Sequence, residues 1–84
     1  MEERRKDLRQ RVLKAGKIAF NRGAVIDCIV RNLSKSGALL NVADQFAIPE
    51  EFVLLIKRDN LQYQCYVEWR SGNQIGVSFR PKEP

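Results

Sequence analysis

Two short clusters in this chain carry residue types suited to gripping an anionic, base-bearing ligand. The first is Arg5-Lys6-Asp7-Leu8-Arg9, an RxxxR spacing with Arg4 directly before it. A guanidinium can fork onto phosphate oxygens, pair bidentately with guanine O6 and N7, and stack on a base plane. The second is Asn32-Leu33-Ser34-Lys35-Ser36-Gly37, an NxSxxG spacing. Asn and Ser offer a donor and acceptor pair, and Gly37 suits a backbone that bends tightly or lets a ligand approach. Taken singly, each has a plainer account, a solvated basic tail and a polar β-turn.

Other chemistries find little to work with. The chain has no His, so the commonest acid/base group near neutral pH is missing. Cys28 and Cys65 stand far apart within strand-like segments, without the close paired spacing of a zinc site. Two small core residues are the expectation for them, rather than a disulfide or a metal site. No residue set suggests a tuned catalytic pocket, and the chain is not expected to be an enzyme.

Charge is unevenly placed. Residues 1–17 hold seven basic against three acidic side chains, a net of +4 out of the whole chain's +5. The remaining residues are nearly neutral, so an anionic partner would meet the N-terminal segment. The longest apolar run, Phe52 to Ile56, is far short of the roughly 20 residues that span a bilayer. The charged start, Met1-Glu2-Glu3-Arg4-Arg5, has no apolar stretch behind it, so neither membrane insertion nor secretion is expected. A cytoplasmic protein without a cofactor is the resulting expectation.

These clusters need a scaffold, and hydrophobic periodicity supplies one. Leu61, Tyr63, Cys65, Val67 and Trp69 alternate with polar or exposed-parity neighbours, the period of a half-buried strand. On that parity the tyrosine and tryptophan read as core, and Tyr66 as an outward residue. Ile75, Val77 and Phe79 repeat the pattern, as do Ile26, Cys28 and Val30, and Ile18 with Phe20. Six strands are predicted, over 11–20, 24–32, 37–42, 52–58, 61–70 and 74–80. Asn21-Arg22-Gly23, Asp59-Asn60 and Ser71-Gly72-Asn73 supply turns, with Gly23 expected at a positive φ. Residues 43–51, containing Pro49, form the longest connection and have room for one helical turn. Short strands at this spacing, with no long helix, predict an all-β barrel or sandwich. Its 84 residues make one domain, which at this size buries only about 60% of the unfolded chain's surface.

The two clusters, in this order and context, resemble the PilZ domain family. That family carries RxxxR before its first strand and [D/N]xSxxG at the end of its second. Here the positions are Arg5 with Arg9, then Asn32, Ser34 and Gly37. The pattern Val67-Glu68-Trp69-Arg70 followed by Gly76-Val77-Ser78-Phe79 is similar to the family's last two strands, and the resemblance covers nearly the whole chain. It implies a six-stranded antiparallel β-barrel over 11–80 with a flexible basic ligand-binding arm at 1–10. It also implies that the bacterial second messenger cyclic di-GMP is the ligand. Arg5 and Arg9 would then grip phosphates and guanines, and Asn32 and Ser34 would bond a guanine edge or phosphate. Gly37 would leave the ligand space. Arg4, one position before the motif, implies two intercalated ligand molecules per domain. Asn32 stands where Asp is the alternative, which removes one negative charge.

The resemblance also implies an effector protein, not identified by any residue here, that senses ordering of the arm. A ligand-independent protein–protein adaptor is the alternative. A small nucleic-acid-binding barrel ranks lower, because the aromatics fall mostly on the inward parity and residues 18–84 are nearly neutral.

Overall fold

A computed structural model of the chain describes residues 10–79. Six strands form it: β1 (Gln10–Phe20), β2 (Ala24–Leu33), β3 (Gly37–Asn41), β4 (Glu51–Ile56), β5 (Leu61–Ser71) and β6 (Gln74–Ser78). Two antiparallel meanders, β1-β2-β3 and β4-β5-β6, join edge to edge through β3–β6 and β1–β4. The result is a closed barrel in the order β1-β2-β3-β6-β5-β4. Closure gives every strand a neighbour on both sides over at least part of its length, which shortens the open edges that could recruit another chain. Four predicted strands match to within one residue at each end. The fourth stops at Ile56 rather than residue 58, and the sixth at Ser78 rather than 80.

The alternating aliphatics line the inside. Ile18, Val30, Leu40, Leu54, Ile56 and Ile75 are all fully buried. Each such side chain contributes roughly 1.5–3 kcal/mol relative to exposure. Cys28 and Cys65 lie in the same core as free thiols. Burial pushes both up to about 12, with Asp27 adding to the effect at Cys28, so both stay protonated near neutrality. Gly16 faces this interior beside Cys28 and Leu54, where a Cβ would already press at 3.2–3.3 Å.

The turns differ in detail from expectation. In the β1–β2 hairpin, Asn21 and Arg22 take positive φ of 45° and 53° as well as Gly23. Both non-glycine residues therefore enter the left-handed region, which suits the twist of a tight hairpin. Between β4 and β5, Asp59 and Asn60 do not form a two-residue turn by themselves. Lys57–Asp59 makes a single 3-10 turn, and only Asn60 is left-handed, at φ 55°. Gly72 takes φ 58° in the β5–β6 turn. The long connection does hold a helical turn, at Gln45–Ala47, capped by the Asp44 carboxylate accepting from the Phe46 N–H at 3.0 Å.

At each end of the barrel a cation ties a strand to a connection. Lys14 pairs with Asp59 at one mouth. At the other, Arg70 donates from Nη1 to the Gln45 carbonyl at 2.7 Å and from Nη2 to Glu50 at 3.3 Å. Gln45, itself buried, donates to the Gly72 carbonyl. Strict alternation along β5 would turn Arg70 outward, but it is a staple for the long connection. The physical reason lies in a β-bulge.

Three bulges interrupt the ladders, between Arg11 and Lys14, between Val30 and Asn32, and between Val67 and Trp69. A bulge adds one residue to one strand and so reverses which face the following side chains occupy. The third bulge overturns the expectation that Trp69 is core. Val67 pairs with the buried Val77, but Trp69 pairs with Gly76 on the outer face and is 47% exposed. Arg70, next in line, turns towards the mouth. Leu61 also departs from the inward set, being exposed where β5 begins. Tyr63 does pack inward, stacked on Phe79 with ring centroids 4.2 Å apart.

Candidate functional site

The second sequence cluster folds as the β2–β3 turn. Ser34 organises it: its hydroxyl accepts from the backbone N–H groups of Ser36 and Gly37, both at 3.2 Å. The Ser34 N–H donates to the Gly37 carbonyl at 2.9 Å. The turn is tied to the end of β6 by the Phe79 N–H donating to the Ser36 carbonyl at 2.8 Å. A Ser at this position therefore specifies the loop's shape through its own backbone bonds.

Gly37 has an equally local reason. An added Cβ would lie 2.3 Å from the Val77 carbonyl oxygen of the neighbouring strand. No side chain fits there, whether or not a ligand is present. Asn32 differs from both. The bulge at Val30/Asn32 sets it opposite Leu39 on the outer face, while Leu33 packs inward. Among the described residues, no hydrogen bond uses its side-chain amide, so both ends of that amide are open to a ligand.

These three residues line one groove of about 340 Å³ on the barrel's outer wall. Its floor is a cross-strand row. Asn32 pairs with Leu39, Leu39 with Gly76, and Gly76 with Trp69. On the far side, Arg11 pairs with Asn32 across the β1–β2 ladder and is exposed. The opposite wall is Glu68, Trp69 and Ser78. Ser78 donates from Oγ to Glu68 Oε2 at 2.6 Å. The groove is thus polar at both ends, with the Asn32 amide and the serine hydroxyls of the turn on one side and an indole beside a carboxylate on the other.

Glu68 keeps the outward parity that period two gives it, but Trp69 is a groove residue that such a reading misses. The signal for it is in the sequence only as Gly76, a residue without a side chain in an otherwise regular strand. Isolated strand glycines mark bulges or close approaches. Arg4, Arg5 and Arg9 lie outside the described residues. Their attachment point does not: Gln10, which follows Arg9, is paired with Leu33. The chain before β1 therefore joins the barrel beside the Asn32–Gly37 turn. Tyr66 is half-buried, paired with Glu51 and Ser78. Arg31 is exposed at the β2 bulge.

Among the described residues, no cluster of His, Cys, Asp or Glu could hold a metal ion. None of their helices is long and apolar enough to cross a membrane.

The described residues thus form a closed six-stranded barrel with a polar outer groove at the β2–β3 turn. The PilZ domain family model matches residues 3–84, and the chain belongs to that family. PilZ domains are binding modules known for cyclic di-GMP. None of the curated proteins compared with the chain matches it.

Proposed function

We propose that this protein is a receptor for cyclic di-GMP, held in the groove between the Asn32–Gly37 turn and Trp69. One observation carries the reading. Gln10 pairs with Leu33 and Arg11 with Asn32, so the strand that follows the RxxxR motif is zipped to the strand that carries the NxSxxG motif. The strand that directly follows the first motif is thereby the hydrogen-bonded neighbour of the strand that carries the second. Family membership over nearly the whole chain adds the ligand class.

In this reading Arg5 and Arg9 supply guanidinium forks to the phosphates and bases. Charge-assisted bonds of this kind contribute roughly 1.5–3 kcal/mol each before ordering costs. Asn32 uses its open amide on a guanine edge or phosphate. Ser34 and Gly37 act mainly by shaping the turn and its approach. Arg4 supports a second, intercalated ligand molecule. No reaction is assigned to the protein. Ligand binding orders residues 1–10 against the groove, and the new surface is read by an effector protein. A receptor for an intracellular messenger acts in the cytoplasm, which is where we place it.

The test is residue-resolved. Amide chemical shifts of the full chain are followed while cyclic di-GMP is added. The reading predicts large shifts at Asn32–Leu39, at Glu68 and Trp69 and at Gly76–Ser78, with slowed amide exchange in residues 1–10. Shifts confined to the opposite wall, around Asp27, Lys17 and Leu55, would contradict the groove.

A further inference from the structure

One outer face of the barrel lacks the polar side chains expected there. An antiparallel sheet with one wet side turns polar residues outward. On β1 and β2 the outward positions Ala15, Ala19, Val25 and Ile29 are all apolar, with Ile29 exposed and Val25 53% exposed. Leu13 extends the same face and is 72% exposed. Apolar surface gathered in this way marks a contact site. The groove does not account for it, since the groove lies over the other end of β2 and over β3, β6 and β5.

The order of the side chains says what covers the face. The β1–β2 ladder sets three outward pairs in successive rows: Ala15 with Ile29, Lys17 with Asp27 and Ala19 with Val25. Each row holds a small residue beside a branched one, or a cation beside an anion. Consider a two-fold axis lying in the face, along the strands and midway between β1 and β2. It exchanges the two columns, so each alanine of one copy meets the valine or isoleucine of the other, and each lysine meets an aspartate. Self-complementarity of this kind is what an isologous contact requires. Burial of the charges is tolerable because they are already paired: Lys17 donates to Asp27 Oδ1 at 2.6 Å. The Asp27 side chain nevertheless stays 82% exposed, with room to meet a second lysine. The chain's own ends do not suit the face. Residues 1–9 carry seven charged side chains, and the other end is Arg80-Pro81-Lys82-Glu83-Pro84.

We propose that this face docks a second copy of the chain as a two-fold dimer, sheet on sheet, with Lys17 of each copy on Asp27 of the other. The four charges then form a closed ring of two lysines and two aspartates, flanked on both sides by alanine packed on a branched aliphatic. Face-to-face packing of this sort keeps the strands of the two sheets roughly aligned. The dimer does not rest on the receptor reading, because none of these six residues lines the groove. Three rows make a contact below the standard interface size, so a dissociation constant of about 100 μM is expected.

Sedimentation equilibrium of the full chain without ligand, from about 10 μM to about 1 mM, tests the dimer in wild type, Asp27→Lys and Lys17→Asp. Wild type is expected to pass from monomer to dimer across that range. Each variant alone is expected to stay monomeric, because the middle row then sets like charges against like. Mixed in equal amounts, the two variants are expected to associate at least as well as wild type, since one brings two cations and the other two anions. Recovery in the mixture also shows that neither variant lost its fold. A wild type that stays monomeric throughout overturns the proposal and assigns the face to a different protein. Variants that still self-associate overturn it too, by placing the contact elsewhere, as does a mixture that stays monomeric.

Discussion

Trp69 and Gly76 face each other across β5 and β6, and the indole occupies the space a side chain at 76 would need. The pair exists because the Val67/Trp69 bulge turns an otherwise inward position outward. A bulge, a glycine and a tryptophan therefore act together to give the groove its aromatic wall.

Gly76→Ala should disturb this arrangement directly. Its methyl would meet ring atoms rather than the end of a flexible chain, and overpacking of this kind costs about 1–3 kcal/mol. The expected outcome is a red-shifted Trp69 emission, as the indole lifts into water, with a lower urea midpoint. Emission and midpoint both equal to wild type would show that the indole does not rest on β6.

Gly37→Ala should behave as a stability variant before it behaves as a binding variant. The methyl would press on the Val77 carbonyl, a backbone atom that can move only with its strand. A loss of about 1–3 kcal/mol is expected in urea unfolding without any ligand. Unchanged stability with lost binding would instead assign Gly37 to the ligand alone.

Arg70→Met should separate fold from function in the opposite sense. It keeps most of the apolar stem but removes the bond to the Gln45 carbonyl and the contact with Glu50. The Gln45–Ala47 connection is expected to loosen, with about 1–3 kcal/mol lost and faster amide exchange at residues 43–50. Ligand affinity should stay within twofold, since this staple closes the mouth remote from the Ser34–Gly37 turn. A large affinity loss would show that the mouth and groove are coupled.

The two buried thiols predict an alkaline weakness. Their folded values, about 12, stand above the ordinary 9.0 because burial disfavours the thiolate. The unfolded chain sheds these protons above pH 9 while the folded chain keeps them. Stability is thus full below pH 9 and falls as pH rises towards 12, by at most about 1.4 kcal/mol per thiol per pH unit. Unfolding free energy measured from pH 8 to 10.5 should fall more steeply in wild type than in Cys28→Ala/Cys65→Ala. Equal slopes would mean the thiols do not carry the effect.

Much of the barrel was legible from sequence because its inner face is built by strict alternation. Ile26, Cys28 and Val30, or Ile75 and Val77, announce both strand and face. The outer groove was legible only where turn chemistry marks it, at Asn32, Ser34 and Gly37. Trp69 was misread because period two assumes an unbroken ladder, and one inserted residue at Glu68 reverses every later assignment on β5. A bulge leaves no periodic trace of its own, so Gly76 on the partner strand is the only local hint. Arg4, Arg5 and Arg9 were singled out by residue type and order and lie outside the described residues; what pairs with Leu33 is Gln10, the residue after Arg9.

The central claim is that this barrel binds cyclic di-GMP through both motifs at once, and isothermal titration of the full chain tests it most directly. Saturable binding of cyclic di-GMP is expected, with none of cyclic di-AMP and loss of binding in both Arg9→Ala and Asn32→Ala. A stoichiometry near two would match the place of Arg4. No binding at about 100 μM ligand, a limit near −5.5 kcal/mol, would contradict the account and leave the protein a ligand-independent adaptor.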